Sequence, residues 1–367
     1  MVQPVNVLHM CLSSGFGGLE MYPIRVGKTM LQQGQNVYGI AQSGTPIHQS
    51  MASVFKDTFT LSSRGEGYRQ LFTMAKWIKQ HAISHVHCHK SSDLMLAVLL
   101  KKLCGFTLIF TDHMGVKRPK QDFYHRFIYR NLDLLLSISH FTRSFNVKAL
   151  PVPPERNKTL WLGTEMPDQG LQGLGLKQEL GLSETCKIIG IVGRVSHGKG
   201  HEELLKAFSV LAQEDTHLVI VGGLSPETGG SSEYAQILKD YVEANGLESK
   251  VTFYGFSEQT QALLMDMDLV VIPSQLEAFG LTVIEAMAVG KAIVGSCHGA
   301  IPEIIADTGM LVDPADSAAF AKALALLCDD VSERERLSVL SKQRAQEYFD
   351  QHKHVQALLA LYQEATA

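Results

Sequence analysis

Two glutamates, Glu277 and Glu285, bracket a Phe279-Gly280 pair in the stretch Glu277-Ala278-Phe279-Gly280-Leu281-Thr282-Val283-Ile284-Glu285. An apolar run, Leu269 to Pro273, precedes them, and helical spacing begins near Leu281. A glycine just before a helix start lets a ligand approach the backbone closely. The first N–H groups of the helix and its positive dipole end suit a diphosphate. Glu277, in the loop, can accept hydrogen bonds from sugar hydroxyls. Glu285, about one turn into the helix, can grip a ribose diol.

A second block, Gly190-Ile191-Val192-Gly193-Arg194-Val195-Ser196-His197-Gly198-Lys199-Gly200, also joins an apolar strand to a helix, here His201–Leu211. Arg194 offers a planar fork of donors and Lys199 a compact ammonium. Two cations at one strand end can neutralise a leaving diphosphate. Gly193 to Lys199 has Walker A spacing, but Gly200 replaces the Ser or Thr that would hold magnesium, so a P-loop is not expected.

These blocks need a frame that puts strand ends and helix starts side by side. Strand-like runs alternate with helical ones throughout: Val5–Cys11, Asn36–Ile40, His85–His89, Thr107–Phe110 and Leu134–Ser139, then Lys187–Val192, Leu218–Val221, Val251–Tyr254, Leu269–Ile272 and Ala292–Gly295. The spacing predicts helices over Glu20–Gln33, Tyr68–His81, Asp93–Leu103 and Val331–Ala367. This rhythm predicts an α/β fold of parallel sheets with helices on both faces. Pro151, Pro153, Pro154 and the glycines from Gly163 to Gly175 interrupt it, which places an interdomain linker between Lys148 and Gly181. A length of 367 residues with 45% hydrophobic content suits two domains.

Six scattered cysteines form no CxxC pair, which argues against a disulfide framework or zinc ribbon and fits a reducing compartment. The N-terminus lacks a basic region ahead of its first apolar run and reads as a strand rather than a signal peptide. Leu94–Leu100 is the longest apolar run, far short of the roughly 20 residues that span a bilayer. A cytoplasmic protein is expected, either soluble or peripheral on the cytoplasmic face of a membrane.

Charge is unevenly placed. The first 165 residues carry 19 Lys and Arg against 9 Asp and Glu, and the remainder 14 against 28. The basic half suits an anionic acceptor or membrane surface. Within it, the segment Lys117 to Arg130 interleaves basic residues with Phe123, Tyr124, Phe127 and Tyr129. Such a segment can lie on an anionic interface, hold an acidic glycan, or cover a core as an ordinary helix. No nucleic-acid-binding motif accompanies the charge, and no nucleic-acid partner is expected.

Two metal-like patterns are given structural readings. Asp266-Met267-Asp268 spells DxD between a helix and a strand, where caps at the sheet edge are expected. His85, His87 and His89 alternate and could share one face. Imidazoles so placed could ligate zinc, but the preferred reading is a strand end with one or two histidines facing a pocket. No metal and no cofactor is expected.

Further pieces join the two main blocks. They are Gly15-Phe16-Gly17-Gly18-Leu19-Glu20 after the first strand, His113 in Thr111-Asp112-His113-Met114-Gly115, Ser137-Ile138-Ser139 with Thr142, Leu162-Gly163-Thr164-Glu165, and Pro302-Glu303-Ile304 followed by Gly309 to Pro314. In combination they resemble the retaining GT-B glycosyltransferases of the large family 4 type, which includes many bacterial polysaccharide, lipopolysaccharide-core and mannosyl transferases. The resemblance covers most of the chain. It departs at Gly299-Ala300, where the family has Gly-Gly, and at the linker start, which lacks the usual Asn.

The resemblance implies two facing Rossmann-like domains. Residues 1–165 would bind acceptor, joined by a C-terminal helix at about 347–367 that crosses back. Residues 166–346 would bind the nucleotide-sugar donor. The implied enzyme is a retaining, metal-independent glycosyltransferase with a glycan or glycolipid acceptor, in polysaccharide or lipopolysaccharide biosynthesis. His113, Arg194, Lys199 and Glu277 would be catalytic. Gly17, Gly18, Gly193, Phe279, Gly280, Leu281, Thr282 and Glu285 would bind donor. The alternatives are a sugar-nucleotide epimerase of the same fold, or a non-catalytic nucleotide-sugar-binding protein.

Overall fold

The computed structural model describes residues 4–15, 17–211 and 213–366. The chain forms two compact units. The first runs to Leu162 and takes in the C-terminal stretch from Gln351; the second is Gly163–Asp350. These limits differ by a few residues from the 165/166 and 346/347 of the sequence reading. The reason is local: the Thr164 N–H donates to the Phe349 carbonyl at 2.8 Å, and Thr164 bridges Asp350 in parallel, so both segments belong to the second unit.

The first unit holds seven strands, β1 (Asn6–Cys11), β2 (Asn36–Gln42), β3 (Asp57–Leu61), β4 (His85–Cys88), β5 (Thr107–Asp112), β6 (Leu134–Ser137) and β7 (Asn157–Thr159), in spatial order 3-2-1-4-5-6-7. The second holds β8 (Lys187–Val192), β9 (Thr216–Val221), β10 (Val251–Gly255), β11 (Leu269–Ile272), β12 (Ala292–Ser296) and β13 (Met310–Val312), in order 10-9-8-11-12-13. Every pairing within both sheets is parallel. Helices cover both faces of a parallel sheet, so its central strands are apolar runs rather than alternating ones. β9, Thr-His-Leu-Val-Ile-Val, is buried at all six positions.

The strand order reverses between β1 and β4 in one unit and between β8 and β11 in the other. In open α/β sheets, ligands bind beyond the carboxyl ends of strands at such a reversal. The Gly15–Glu20 segment follows β1, the Gly193–Gly200 block follows β8, and Glu277 follows β11.

Two helices depart from the sequence reading. The helix expected over Tyr68–His81 is split into Arg64–Arg69 and Leu71–Gln80, with Ser63 capping the first by accepting from the Glu66 N–H. The helix expected over Val331–Ala367 is split into Val331–Tyr348 and Gln351–Thr366. The break falls where Phe349 turns into the core of the second unit, its ring edge-on to Phe279. Gln351–Thr366 then packs on the Gly18–Gln32 helix and β5 of the first unit.

Candidate active site

The end of β8 is shaped by glycines at positive φ. Gly193 has φ +150°, and its N–H donates to the Val221 carbonyl at 2.9 Å. Gly200 has φ +83°, and a Cβ there would stand 2.1 Å from the Pro273 carbonyl oxygen. The position that would be Ser or Thr in a Walker loop therefore has no room for a side chain. Between them, the Gly198 carbonyl accepts from the Gln275 N–H at 3.1 Å, tying the β8 loop to the β11 loop.

That tie brings Lys199 to Glu277. The ammonium Nζ lies 2.5 Å from Glu277 Oε1, which also accepts from the Ser274 hydroxyl at 3.0 Å. Both side chains are partly accessible. The Glu277 backbone is clamped from the other side, where its carbonyl accepts from the Ala300 N–H at 2.9 Å. Gly299, at φ +66°, lies so close that a Cβ would meet the Glu277 backbone at 2.6 Å. Gly299 is thus required by geometry. Ala300 has φ −87°, a value any residue adopts, which is why the departure from the family's Gly-Gly fits without strain.

Gly280 adopts φ +97° and begins the Leu281–Ala288 helix with no side-chain cap, leaving the helix start open to an anion. Leu281, Thr282 and Glu285 are half-buried along it. Phe279 is placed differently from the rest of the proposed donor set. Its side chain is 2% exposed and packs against Phe349, so only its backbone can meet a ligand. Arg194 is exposed at the β8 end.

His201, which the sequence reading passed over, starts the next helix. It is buried, neither ring nitrogen has a hydrogen-bond partner among the described residues, and burial with the Lys199 charge holds it down to about 4.

In the first unit, the Gly15–Glu20 segment is organised by Glu20. Its carboxylate accepts from the Gly17 N–H at 2.9 Å and the Ser13 hydroxyl at 2.6 Å, and Lys90 Nζ donates to Ser13 Oγ at 3.1 Å. Gly17 is the N-cap and Gly18 the first residue of the Gly18–Gln32 helix. Phe16 lies outside the described residues.

His113 follows β5. Its ring meets Tyr22 edge-on at 5.1 Å, its Nε2 has no partner among the described residues, and burial holds it down to about 3, as a neutral imidazole. The loop is fixed by Asp112, which accepts from the Gly115 N–H and Asn146 Nδ2, each at 2.8 Å.

Around His113 lies a buried aromatic and imidazole cluster whose members come from distant sequence. His9 and His87 are register partners on β1 and β4. His9 Nδ1 meets His89 Nε2 at 2.9 Å. His87 Nδ1 meets the Tyr362 hydroxyl and Nε2 the Thr111 hydroxyl, both at 2.6 Å. His354 Nδ1 donates to the Trp161 carbonyl at 2.7 Å, so Nε2 accepts from the Tyr22 hydroxyl at 3.0 Å. His9, His87 and His89 each offer a nitrogen within 4.8 Å of the others, the spacing of a metal trio. Both His87 nitrogens are already hydrogen-bonded to hydroxyls, so His87 closes on protein partners, while His9 Nε2 and His89 Nδ1 are buried with no partner among the described residues.

The DxD carboxylates also close on protein. Asp266 accepts from the Leu174 and Leu176 N–H groups, and Asp268 from the Ile188 N–H at 2.9 Å.

Two doubly wound parallel-sheet units, with Lys199, Glu277 and an open helix start gathered at one strand reversal, define the GT-B class of fold. Residues 16–164 match the family described as Glycosyltransferase Family 4, and residues 175–344 match Glycosyl transferases group 1. The D-inositol 3-phosphate glycosyltransferase of Corynebacterium glutamicum (strain R) is 30% identical over 361 residues, covering 88% of this chain and 85% of that one. The lipopolysaccharide core biosynthesis mannosyltransferase LpsB of Rhizobium meliloti (strain 1021) is 27% identical over 338 residues, 88% of each chain. Among solved structures, Anabaena Alr3699/HepE in complex with UDP-glucose superposes with a TM-score of 0.81 at 19% identity, covering 98% of this chain and 99% of that one. The chain belongs to the family 4 type of bacterial glycosyltransferases, and it is a transferase enzyme.

Proposed function

We propose that the enzyme is a retaining, metal-independent transferase that moves a sugar from a nucleotide-sugar donor to a glycan or glycolipid of the cell envelope, in lipopolysaccharide or polysaccharide synthesis. The observation that carries this reading is the Lys199–Glu277 pair beside the open helix start at Gly280, at the carboxyl ends of β8 and β11. The lipopolysaccharide-core relative and the UDP-glucose-bound neighbour support the acceptor and donor classes.

On this reading the donor diphosphate lies over Gly193 and the Gly280–Thr282 backbone. Glu285 holds the ribose and Glu277 the sugar hydroxyls. As the bond from the anomeric carbon to the phosphate oxygen breaks, its electron pair goes to that oxygen. Arg194, Lys199 and the helix N-terminus stabilise the growing charge. The same oxygen takes the proton of the attacking acceptor hydroxyl. The new bond therefore forms on the face the phosphate leaves, and the configuration is retained. In the first unit, His113 offers a neutral imidazole for contact with sugar, and Gly17 and Gly18, at the start of the Gly18–Gln32 helix, let a ligand approach the backbone closely. The acceptor is anionic, and the enzyme meets it as a peripheral protein at the cytoplasmic face of the membrane.

The test is transfer from a panel of nucleotide sugars to a lipopolysaccharide-core acceptor, with the anomeric configuration of product read by NMR. Full activity is expected in EDTA. Inverted product would overturn the retaining mechanism. Activity lost in EDTA and restored by magnesium or manganese would overturn metal independence. Conversion of the donor sugar without acceptor would favour an epimerase.

A further inference from the structure

The backbone of the His113 loop is fixed by hydrogen bonds to Asp112, but its imidazole is held by packing. His113 Nε2 has no partner among the described residues. The rings against it are Tyr22, edge-on at 5.1 Å, and His89 at 6.0 Å. A buried imidazole with no hydrogen bond at Nε2 takes its angle from the side chains packed on it. The nearer of these, Tyr22, comes from the second turn of the Gly18–Gln32 helix and is itself buried.

The Tyr22 hydroxyl lies in a chain of hydrogen bonds whose directions follow from one end. The Trp161 carbonyl can only accept, so His354 Nδ1 carries the proton between them at 2.7 Å. Burial keeps the His354 ring neutral, so its Nε2 accepts from the Tyr22 hydroxyl at 3.0 Å. Tyr22 has a single hydrogen, already given, so the Thr111 hydroxyl donates to the Tyr22 oxygen. Thr111 has then given its own, and the His87 Nε2–H donates to Thr111 at 2.6 Å. His87 Nδ1 in turn accepts from the Tyr362 hydroxyl at 2.6 Å. Every bond runs one way, from Tyr362 to Trp161, and all five side chains that carry it are buried.

Two of these bonds meet at Tyr22. Thr111 lies on β5, two residues before His113, and His354 on the Gln351–Thr366 helix. The phenol is pinned at its oxygen to the strand that leads to His113 and to the last helix, with its ring against the imidazole. Apolar side chains could fill the same space with no polar group to satisfy, and a buried polar network is costly wherever it is incomplete. What the hydrogen bonds add is orientation, because a ring fixed at its oxygen and at its Cα keeps one angle.

We infer that Tyr22 is a positioning residue for His113, and that Thr111 and His354 hold Tyr22 at the angle this requires. The inference rests on the proposed contact of His113 with sugar. It adds that the aim of the His113 imidazole is set, through Tyr22, by a side chain of the last helix.

The experiment compares the full chain with Tyr22→Phe, which removes the hydroxyl, Tyr22→Leu, which removes the ring, His354→Leu, and His113→Ala alone and combined with Tyr22→Leu. Thermal melts and donor titration of each variant establish that it is folded. Transfer kinetics should show a lowered kcat at an unchanged donor KM. A displacement near 1 Å costs on the order of 100-fold, the loss expected for Tyr22→Leu, with Tyr22→Phe between it and wild type. Combined with His113→Ala, Tyr22→Leu should cost nothing further, since no imidazole remains to be positioned. Equal losses with and without His113, or a loss carried by KM alone, would overturn the inference. NMR of ring-labelled histidine gives a readout apart from activity. The His113 signal, identified as the one absent from His113→Ala, should move in Tyr22→Phe and His354→Leu. Both keep an aromatic ring at position 22, so the movement reports the angle of that ring rather than its loss. A signal at its wild-type position in both variants would sink the positioning role, whatever the kinetics. If the signal moves but His113→Ala keeps the wild-type kcat, Tyr22 positions the imidazole and it is the contact of His113 with sugar that falls.

Discussion

Lys199 and Glu277, 78 positions apart in sequence, meet at 2.5 Å because Gly200 and Gly299 let the loops after β8 and β12 pack backbone to backbone against the loop after β11. The pair is partly open to solvent, so its contribution to stability is small, of the order of 0–1 kcal/mol for an exposed pair. Its value is positional. A carboxylate that already engages the ammonium holds it at the end of β8, where a leaving phosphate would develop charge.

Lys199→Ala and Arg194→Ala should therefore depress turnover more than donor binding. Removing one donor of this kind costs roughly 100- to 1,000-fold in kcat. Steady-state kinetics on each variant check this. A raised KM with unchanged kcat would mean that the cations bind substrate and transition state alike.

Glu285→Gln should weaken the donor through the ribose. A hydrogen bond to a charged acceptor contributes about 1.5–3 kcal/mol, so the dissociation constant should rise roughly 10- to 100-fold. Titration calorimetry with the nucleotide alone is the measurement, and unchanged affinity would sink the assignment.

Much of this frame could be read from sequence, for a physical reason. Strands buried on both faces, such as Lys187–Val192 and Leu269–Ile272, are continuous apolar runs, and the loops after them carry the glycines and cations that the strand ends require. β3, β7 and β13 escape the sequence reading, β7 (Asn157–Thr159) lying inside the stretch read as linker. β3, Asp-Thr-Phe-Thr-Leu, is an edge strand with most positions partly or fully exposed, and β7 and β13 have only three residues each. The split at Gln70 carries no Pro or Gly to announce it. The His9, Tyr22, His354 and Tyr362 cluster was invisible because only the fold brings β1, β4 and the last helix together. Phe279 shows the limit of motif reading, since a residue in the right place sent its side chain to the core.

That cluster makes stability depend on pH. Burial holds His9 and His113 down to about 3 and His354 to about 4. Unfolded histidine ionises near 6.5. Below that value the unfolded chain takes up protons that the folded chain refuses. Stability is thus full above about pH 6.5 and falls as pH drops toward about 4, by up to about 1.4 kcal/mol per pH unit for each such histidine. Asp93 and Asp112, whose carboxyls burial pushes up, act in the opposite sense. The comparison of wild type with His354→Gln isolates the histidine part. Urea midpoints should fall less steeply with acid in the variant, and parallel curves would refute the idea.

Gly198 and Gly200 offer a controlled test of the loop that carries Lys199. Both sit at positive φ, +81° and +83°, so an alanine at either incurs the same backbone strain of roughly 1–2 kcal/mol. A Cβ at Gly198 would meet nothing within 4 Å, whereas at Gly200 it would press on the Pro273 carbonyl oxygen at 2.1 Å and on Pro273 Cβ at 2.8 Å. Gly198→Ala should lose stability by the strain alone and keep most of its donor affinity. Gly200→Ala should lose more stability and also donor affinity, because the β8 and β11 loops must part and Lys199 with them. Gly200→Ser, which completes a Walker A sequence, should behave like Gly200→Ala and gain no magnesium-dependent nucleotide binding. Thermal melts and donor titrations of the three variants decide the matter. Equal losses at the two glycines would mean that the packing of the two loops does not set the position of Lys199.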